Sequence, residues 1–125
     1  MLERVLLVMV GAAVGGGARY LVTLWAADRL GVAFPWGTLI INVSGSFLLA
    51  FLVVFTAERL GLGPEVRLLL GTGFCGGYTT FSTYSVEAAE LVTAGATPAA
   101  VAYLVGSVAL GLLAVVAGAW LARLG

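Results

Sequence analysis

Four apolar runs, each long enough to cross a lipid bilayer, take up nearly all of this 125-residue chain. Hydropathy sets them at about Val5 to Ala27, Trp36 to Thr56, Val66 to Val92 and Pro98 to Leu121. Each meets the roughly 20 residues that a helix needs to traverse hydrocarbon. The short connections "DRLGVAFP", "ERLGLGPE" and "TAGATP" carry the Gly, Pro and charges that end helices. Composition agrees: 62% of residues are hydrophobic and 10% charged, against about a quarter charged in a soluble domain. A chain this small cannot fold so much apolar surface inside itself. The expectation is an all-α membrane protein, one domain over 1–125, with four transmembrane helices. The first run is too long, and too interrupted by "GGGARY", to be a removable signal peptide.

Charge says little about partners. Formal net charge is zero, which gives no reason to expect nucleic acid. An even number of spans puts both termini on one side, with Arg4, Arg59, Arg67 and Arg123, and leaves Arg29 opposite. The positive-inside rule leans toward cytoplasmic termini, but the bias is small enough to allow insertion in both directions. There is no His, and Cys75 is alone. That excludes a Cys/His metal site and a His-based triad, and Cys75 reads as a small buried hydrophobe.

Polar groups at mid-membrane are costly, so they are the best functional signal. Thr38, Asn42 and Ser46 fall on one face of the second helix at four-residue steps. Thr38 and Ser46 suit either interhelical hydrogen bonding or function; Asn42, with two amide donors to satisfy, favours function. Tyr103, Ser107 and Gly111 make a similar line on the fourth helix, open between an ion track and packing. In the first helix Gly11 and Gly15, with Ala12–Gly16 and Ala13–Gly17, read as close-packing positions. Arg19, deep in that helix, must snorkel or face a wet vestibule, or else hydrogen-bond carbonyls.

The third run contains "GTGFCGGYTTFSTYS". Gly73, Gly76 and Gly77 followed by Thr79 and Thr80 predict a helix break over about Phe74–Thr80 and a restart near Phe81. A Gly-rich packing contact in an unbroken helix is the alternative. Irregular backbone at this depth survives only when buried in protein or lining a cavity. No acid lies within the break, so a cation there would be held by carbonyls. Phe81 and Tyr84 share a face beyond it, with Ser82 and Thr83 beside them and Glu87 and Glu90 further on. The electropositive ring edges could contribute to a weak anion site, or the rings could be core packing. Four such helices alone make a filled bundle, so a transport path must lie between chains or beside a dimer interface, and a two-fold dimer is the commonest assembly.

"GGGARY" at 15–20, "GTLIINVSGSFLLAF" at 37–51 and "GFCGGYTTFSTYSVE" at 73–87 together resemble the CrcB/Fluc family of fluoride channels. The resemblance covers essentially the whole chain. It implies an antiparallel, dual-topology homodimer in the cell membrane, with two fluoride pathways. It implies a structural Na⁺ at the dimer centre, held by the backbone carbonyls of Gly76 and Thr79 from both chains. By motif position the pore aromatics are Phe81 and Tyr84, the pore amide Asn42, the vestibule cation Arg19, and the hydroxyl track Tyr103 and Ser107. Thr38, Ser82, Thr83 and Glu87 fall near the same path. Tyr84 replaces the family's usual second phenylalanine, which would add an oxygen to the ring the anion passes. Gly111 stands where a serine often continues the track. The resemblance thus implies passive, fluoride-selective export and no enzyme activity. A small multidrug exporter would need an acid deep in the first helix, where only Arg19 is found; a non-transporting assembly subunit would carry no ion flux.

Overall fold

The computed structural model describes residues 1–124, with the backbone alone described at 59 and 60; Gly125 and the side chain of Arg59 therefore lie outside the described structure. Helix α1 spans Leu2–Leu30, with Glu3 in its first turn and Arg29 in its last, both complementing the helix dipole. Gly31, at φ 82°, ends it in the left-handed region that glycine tolerates. Helix α2 (Trp36–Phe55) continues through a wider π-type stretch, Thr56–Leu60. Helix α3 covers residues 64–78: a turn at Pro64–Arg67, a π-type stretch at Leu68–Cys75, and a last turn at Gly76–Tyr78. Helix α4 is Phe81–Thr93 and α5 is Thr97–Leu124. At the end of α4 the Gly95 N–H donates to the Val92 carbonyl and the Ala96 N–H to the Leu91 carbonyl, at 3.0 and 2.8 Å. This paired closure uses up orphan carbonyls and reverses the chain.

All described elements are helical. Helices α1 and α5, and α2 continued to Glu58, are each long and apolar enough to cross a membrane. Helices α3 and α4 are the two halves of the third apolar run. Apolar side chains stand exposed along α1 (Val10, Val14, Leu21) and α5 (Leu112, Leu113, Val116). Few side chains are fully enclosed, among them Ile41, Cys75 and Tyr103. The chain is an integral membrane protein whose outer surface is apolar.

Small residues let the helices meet backbone to backbone, as membrane helices require where hydrophobic drive is weak. Helix α1 packs on α3 through Gly11, Gly15 and Ala12: a Cβ on Gly77 would stand 2.7 Å from the Ala12 Cα, and one on Gly11 would strike the Leu69 carbonyl. Helix α2 packs on α5, where Gly118 lies against the Phe47 carbonyl. The expected packing role therefore holds for Gly11, Gly15 and Ala12, but a Cβ on Gly16 or Gly17 would meet nothing within 4 Å.

The break is shorter and later than the glycines predict. The chain is helical through Gly73, Gly76, Gly77 and Tyr78, and only Thr79 and Thr80 are extended, at ψ 158° and 116°. Gly73 and Gly77 are spent on close approach to α1 rather than on breaking α3. The two adjacent β-branched threonines adopt the extended backbone they favour. Both sequence readings of this stretch were partly right: the glycines pack, and the helix breaks.

Candidate functional site

The geometry is organised around Thr80. Its main-chain N–H donates to Asn42 Oδ1 at 2.8 Å, and its carbonyl accepts from Asn42 Nδ2 at 3.0 Å. Because the peptide N–H can only donate and the C=O only accept, this pairing also fixes which end of the Asn42 amide is oxygen. Asn42 thus supplies, from α2, the hydrogen bonds that a strand neighbour would supply to extended backbone. One of the two Nδ2 hydrogens remains outside this pairing. The Thr80 hydroxyl caps α4 by accepting the Thr83 N–H at 3.2 Å, and donates to Thr83 Oγ1 at 3.0 Å.

These bonds take the ladder amides from the Gly76 and Thr79 carbonyls; those of Gly77 and Tyr78 lose theirs as well, because the Phe81 and Ser82 N–H groups open the first turn of α4. In a continuous helix the Thr80 N–H would serve the Gly76 carbonyl, and the Thr83 N–H the Thr79 carbonyl. Both amides are diverted, to Asn42 and to the Thr80 hydroxyl respectively. The Cys75 carbonyl, by contrast, keeps both the N–H and the hydroxyl of Thr79. Among the described residues no cluster of three or more His, Cys, Asp or Glu could hold a metal ion. The released Gly76 and Thr79 oxygens are hard, neutral donors of the kind that suits an alkali or alkaline-earth cation. Two per chain fall short of the roughly six oxygens such cations take.

Two clefts meet at Thr80. One, of about 290 Å³, is lined by Asn42, Ser46, Thr80, Phe81, Tyr84 and Ser107 among others. The other, of about 270 Å³, is lined by Arg19, Thr38, Thr80, Thr83 and Glu87 among others. A wider cleft of about 370 Å³ shares Thr38 and Glu87 with the second and opens past Trp36 and Glu90. No hydrogen bond or ion pair from the Arg19 guanidinium is made within the described chain, so the carbonyl-bonding reading of this residue is not what is seen; it faces the second cleft.

Glu87 ties three helices together. Its Oε1 accepts from Thr38 on α2 and its Oε2 from Tyr103 on α5, each at 2.8 Å. Thr38 and Tyr103 are both buried. Two deep hydroxyls on separate helices call for an acceptor, and Glu87 is the carboxylate at reach. Tyr103 lines neither of the two clefts at Thr80; it supports Glu87 from behind. Ser82 is exposed, 3.5 Å from the Thr80 hydroxyl. Ser107 does reach the first cleft, and its Oγ is buried without a hydrogen-bond partner.

The two aromatics, three residues apart, part company. Their rings are 5.8 Å apart and tilted by 47°, yet Phe81 is 79% exposed and Tyr84 only 9%. Tyr84 stacks on Tyr103 at 5.1 Å, and its hydroxyl donates to the Leu104 carbonyl of α5 at 2.8 Å. The added oxygen is therefore turned toward α5, where it bonds the Leu104 carbonyl. Thr80 itself was missed as a site residue. The available signal was a helix-start pattern, a Thr immediately before an apolar residue with another Thr three positions on.

The chain matches the family model described as CrcB-like protein, Camphor Resistance (CrcB), over residues 6–119. It is 51% identical over 122 residues to a protein of Rhizobium meliloti (strain 1021) named fluoride-specific ion channel FluC, covering 98% of each chain. Proteins of the same name in Chelativorans sp. (strain BNC1) and Roseiflexus sp. (strain RS-1) are 48% and 47% identical. The alignments cover 94% of both chains in the first case, and 95% of this chain and 96% of the relative in the second. A match of this length and identity leaves one assignment: the chain belongs to the CrcB/Fluc family.

Proposed function

We propose that this chain is a fluoride channel subunit, multi-pass in the cell membrane, which exports fluoride passively and is not an enzyme. The observation that carries the reading is the pair of clefts meeting at Thr80, one holding the Arg19 guanidinium and the other the amide of Asn42, whose second Nδ2 hydrogen is not used on Thr80. Relatives named as fluoride-specific channels, at 47–51% identity, support the choice of ion.

Fluoride enters near Arg19, where one guanidinium attracts the anion without trapping it in a multiply charged site. It then exchanges water for the free Nδ2 hydrogen of Asn42, the Ser107 hydroxyl and the ring edge of Phe81. Each donor is neutral, so binding stays weak enough for release. The ion is small and strongly hydrated, so substitutes for its water must come close; a larger halide fits that spacing poorly. Thr38, Tyr103 and Glu87 hold α2, α4 and α5 in register along the path, with Ser82 and Thr83 at the start of α4.

The clefts of one chain are open at its surface, and its Gly76 and Thr79 carbonyls alone cannot complete a cation's shell. Both features support an antiparallel homodimer with two pathways, and a central Na⁺ shared by the Gly76 and Thr79 carbonyls of the two chains. When bound, the cation neutralises carbonyl dipoles that no amide serves. Fluoride-electrode recording of efflux from liposomes tests the function. Fluoride should leave far faster than chloride, and equal rates for the two halides would defeat the reading.

A further inference from the structure

The cleft that Arg19 lines adjoins the wider one. The two share Thr23, Thr38 and Glu87, so an anion coming through the wider cleft reaches the guanidinium by passing α1, the start of α2 and α4. Two charged side chains line the wider cleft, Glu87 and Glu90, and both are acidic. They lie three residues apart on α4 and so share a face, with Cβ atoms about 5–6 Å apart. Their surroundings differ. Glu87 is half-buried and has both oxygens hydrogen-bonded, to Thr38 and Tyr103. Glu90 is exposed, and its carboxylate makes no hydrogen bond or ion pair within the described chain. Arg29, at the end of α1 that walls this mouth, is paired with its neighbour Asp28 at 3.6 Å and adds no net charge. The charges lining this entry are then one guanidinium and two carboxylates. Arg19 and Glu87 offset one another in the inner cleft, and Glu90 tips the entrance to net negative.

We infer that Glu90 sets the rate at which fluoride is captured at this end: its unpaired carboxylate lowers the local concentration of anion at the entrance to the Arg19 cleft. The inference rests on the channel reading above and deepens it. A carboxylate about 6 Å from a route that runs past Glu87 lowers the occupancy of an anion there about threefold in dilute salt. A Debye length of about 30 Å at 0.01 M salt leaves that repulsion intact, and one of about 3 Å at 1 M removes nearly all of it. The other cleft at Thr80 has no charged side chain in its lining, so this control by charge belongs to the Arg19 end.

The test is initial fluoride efflux from liposomes, at fluoride concentrations low enough that the rate is proportional to fluoride. It compares the wild type, Glu90→Gln and Glu90→Asp in about 0.01 M and about 1 M potassium isethionate. Gel-filtration elution checks that each variant assembles as the wild type does. In dilute salt Glu90→Gln should run about threefold faster than the wild type, and Glu90→Asp, which keeps the charge, should stay close to it. In concentrated salt all three should agree. An unchanged rate for Glu90→Gln in dilute salt overturns the inference while the channel reading stands. So does a threefold gain that persists in concentrated salt, which marks a change in packing rather than in charge. Wild-type liposomes that release no fluoride overturn both.

Discussion

Replacing Asn42 with Ala should loosen the helix break before it affects anything else. The side chain makes two hydrogen bonds to the main chain of Thr80, at 2.8 and 3.0 Å. Thr80 is 8% exposed, so water cannot readily take over. Alanine would strand a buried N–H and leave a buried carbonyl short of a donor. Each such loss costs about 1–3 kcal/mol, so the pair costs about 2–6 kcal/mol. At the lower bound the Thr80 amide should open about thirtyfold more often, since about 1.4 kcal/mol is a factor of ten. Hydrogen exchange on the detergent-solubilised protein reads this directly, with faster exchange over residues 79–84 and little change in α1. The alternative is that Asn42 serves the ion alone. In that case fluoride flux would fall while exchange at Thr80 stayed at the wild-type rate, and that outcome would refute the reasoning.

Three further outcomes follow from the same geometry. Phe81→Ile removes a largely exposed ring from the cleft, losing only its contact with Tyr84, so fluoride efflux should largely stop while the protein elutes unchanged. Gly77→Ala sets a methyl against the Ala12 backbone and should destabilise the protein by about 1–3 kcal/mol. Gly17→Ala meets nothing and should be neutral or stabilising by up to about 1 kcal/mol, with denaturant unfolding in detergent comparing the two. Thr80→Val keeps the extended, β-branched shape but deletes the cap on the Thr83 N–H. The Thr83 N–H then loses its acceptor, which should cost about 0.5–2 kcal/mol of stability, measured by denaturant unfolding in detergent. An unchanged unfolding midpoint would count against the capping role.

Apolar character and the placement of the three long helices were legible because hydropathy acts on the chain one residue at a time. The partnership of Gly11 and Gly15 with α3 was half legible: spacing revealed a packing face, but not that Gly16 and Gly17 lie off it. The break was harder. Glycine lowers the cost of leaving a helix and equally lowers the distance at which two helices can meet. A single sequence does not say which property is in use. Here close approach took Gly73 and Gly77, and the break fell to the threonines. Tyr84 was illegible for a similar reason, since spacing put its ring beside Phe81 but gave no view of the Leu104 carbonyl that turns the hydroxyl away.

Thr80 shows how a membrane protein can hold open a gap in a helix. Lipid offers no water to satisfy freed amides, so every N–H taken from the ladder needs a named substitute. Asn42 takes the Thr80 N–H, and the Thr80 side chain takes the Thr83 N–H. What remains is an excess of acceptors, the carbonyls of Gly76 and Thr79 among them. On the reading proposed above, a cation would stand in for the missing donors, and the persistence of the gap would then be coupled to whatever second surface completed the cation's shell.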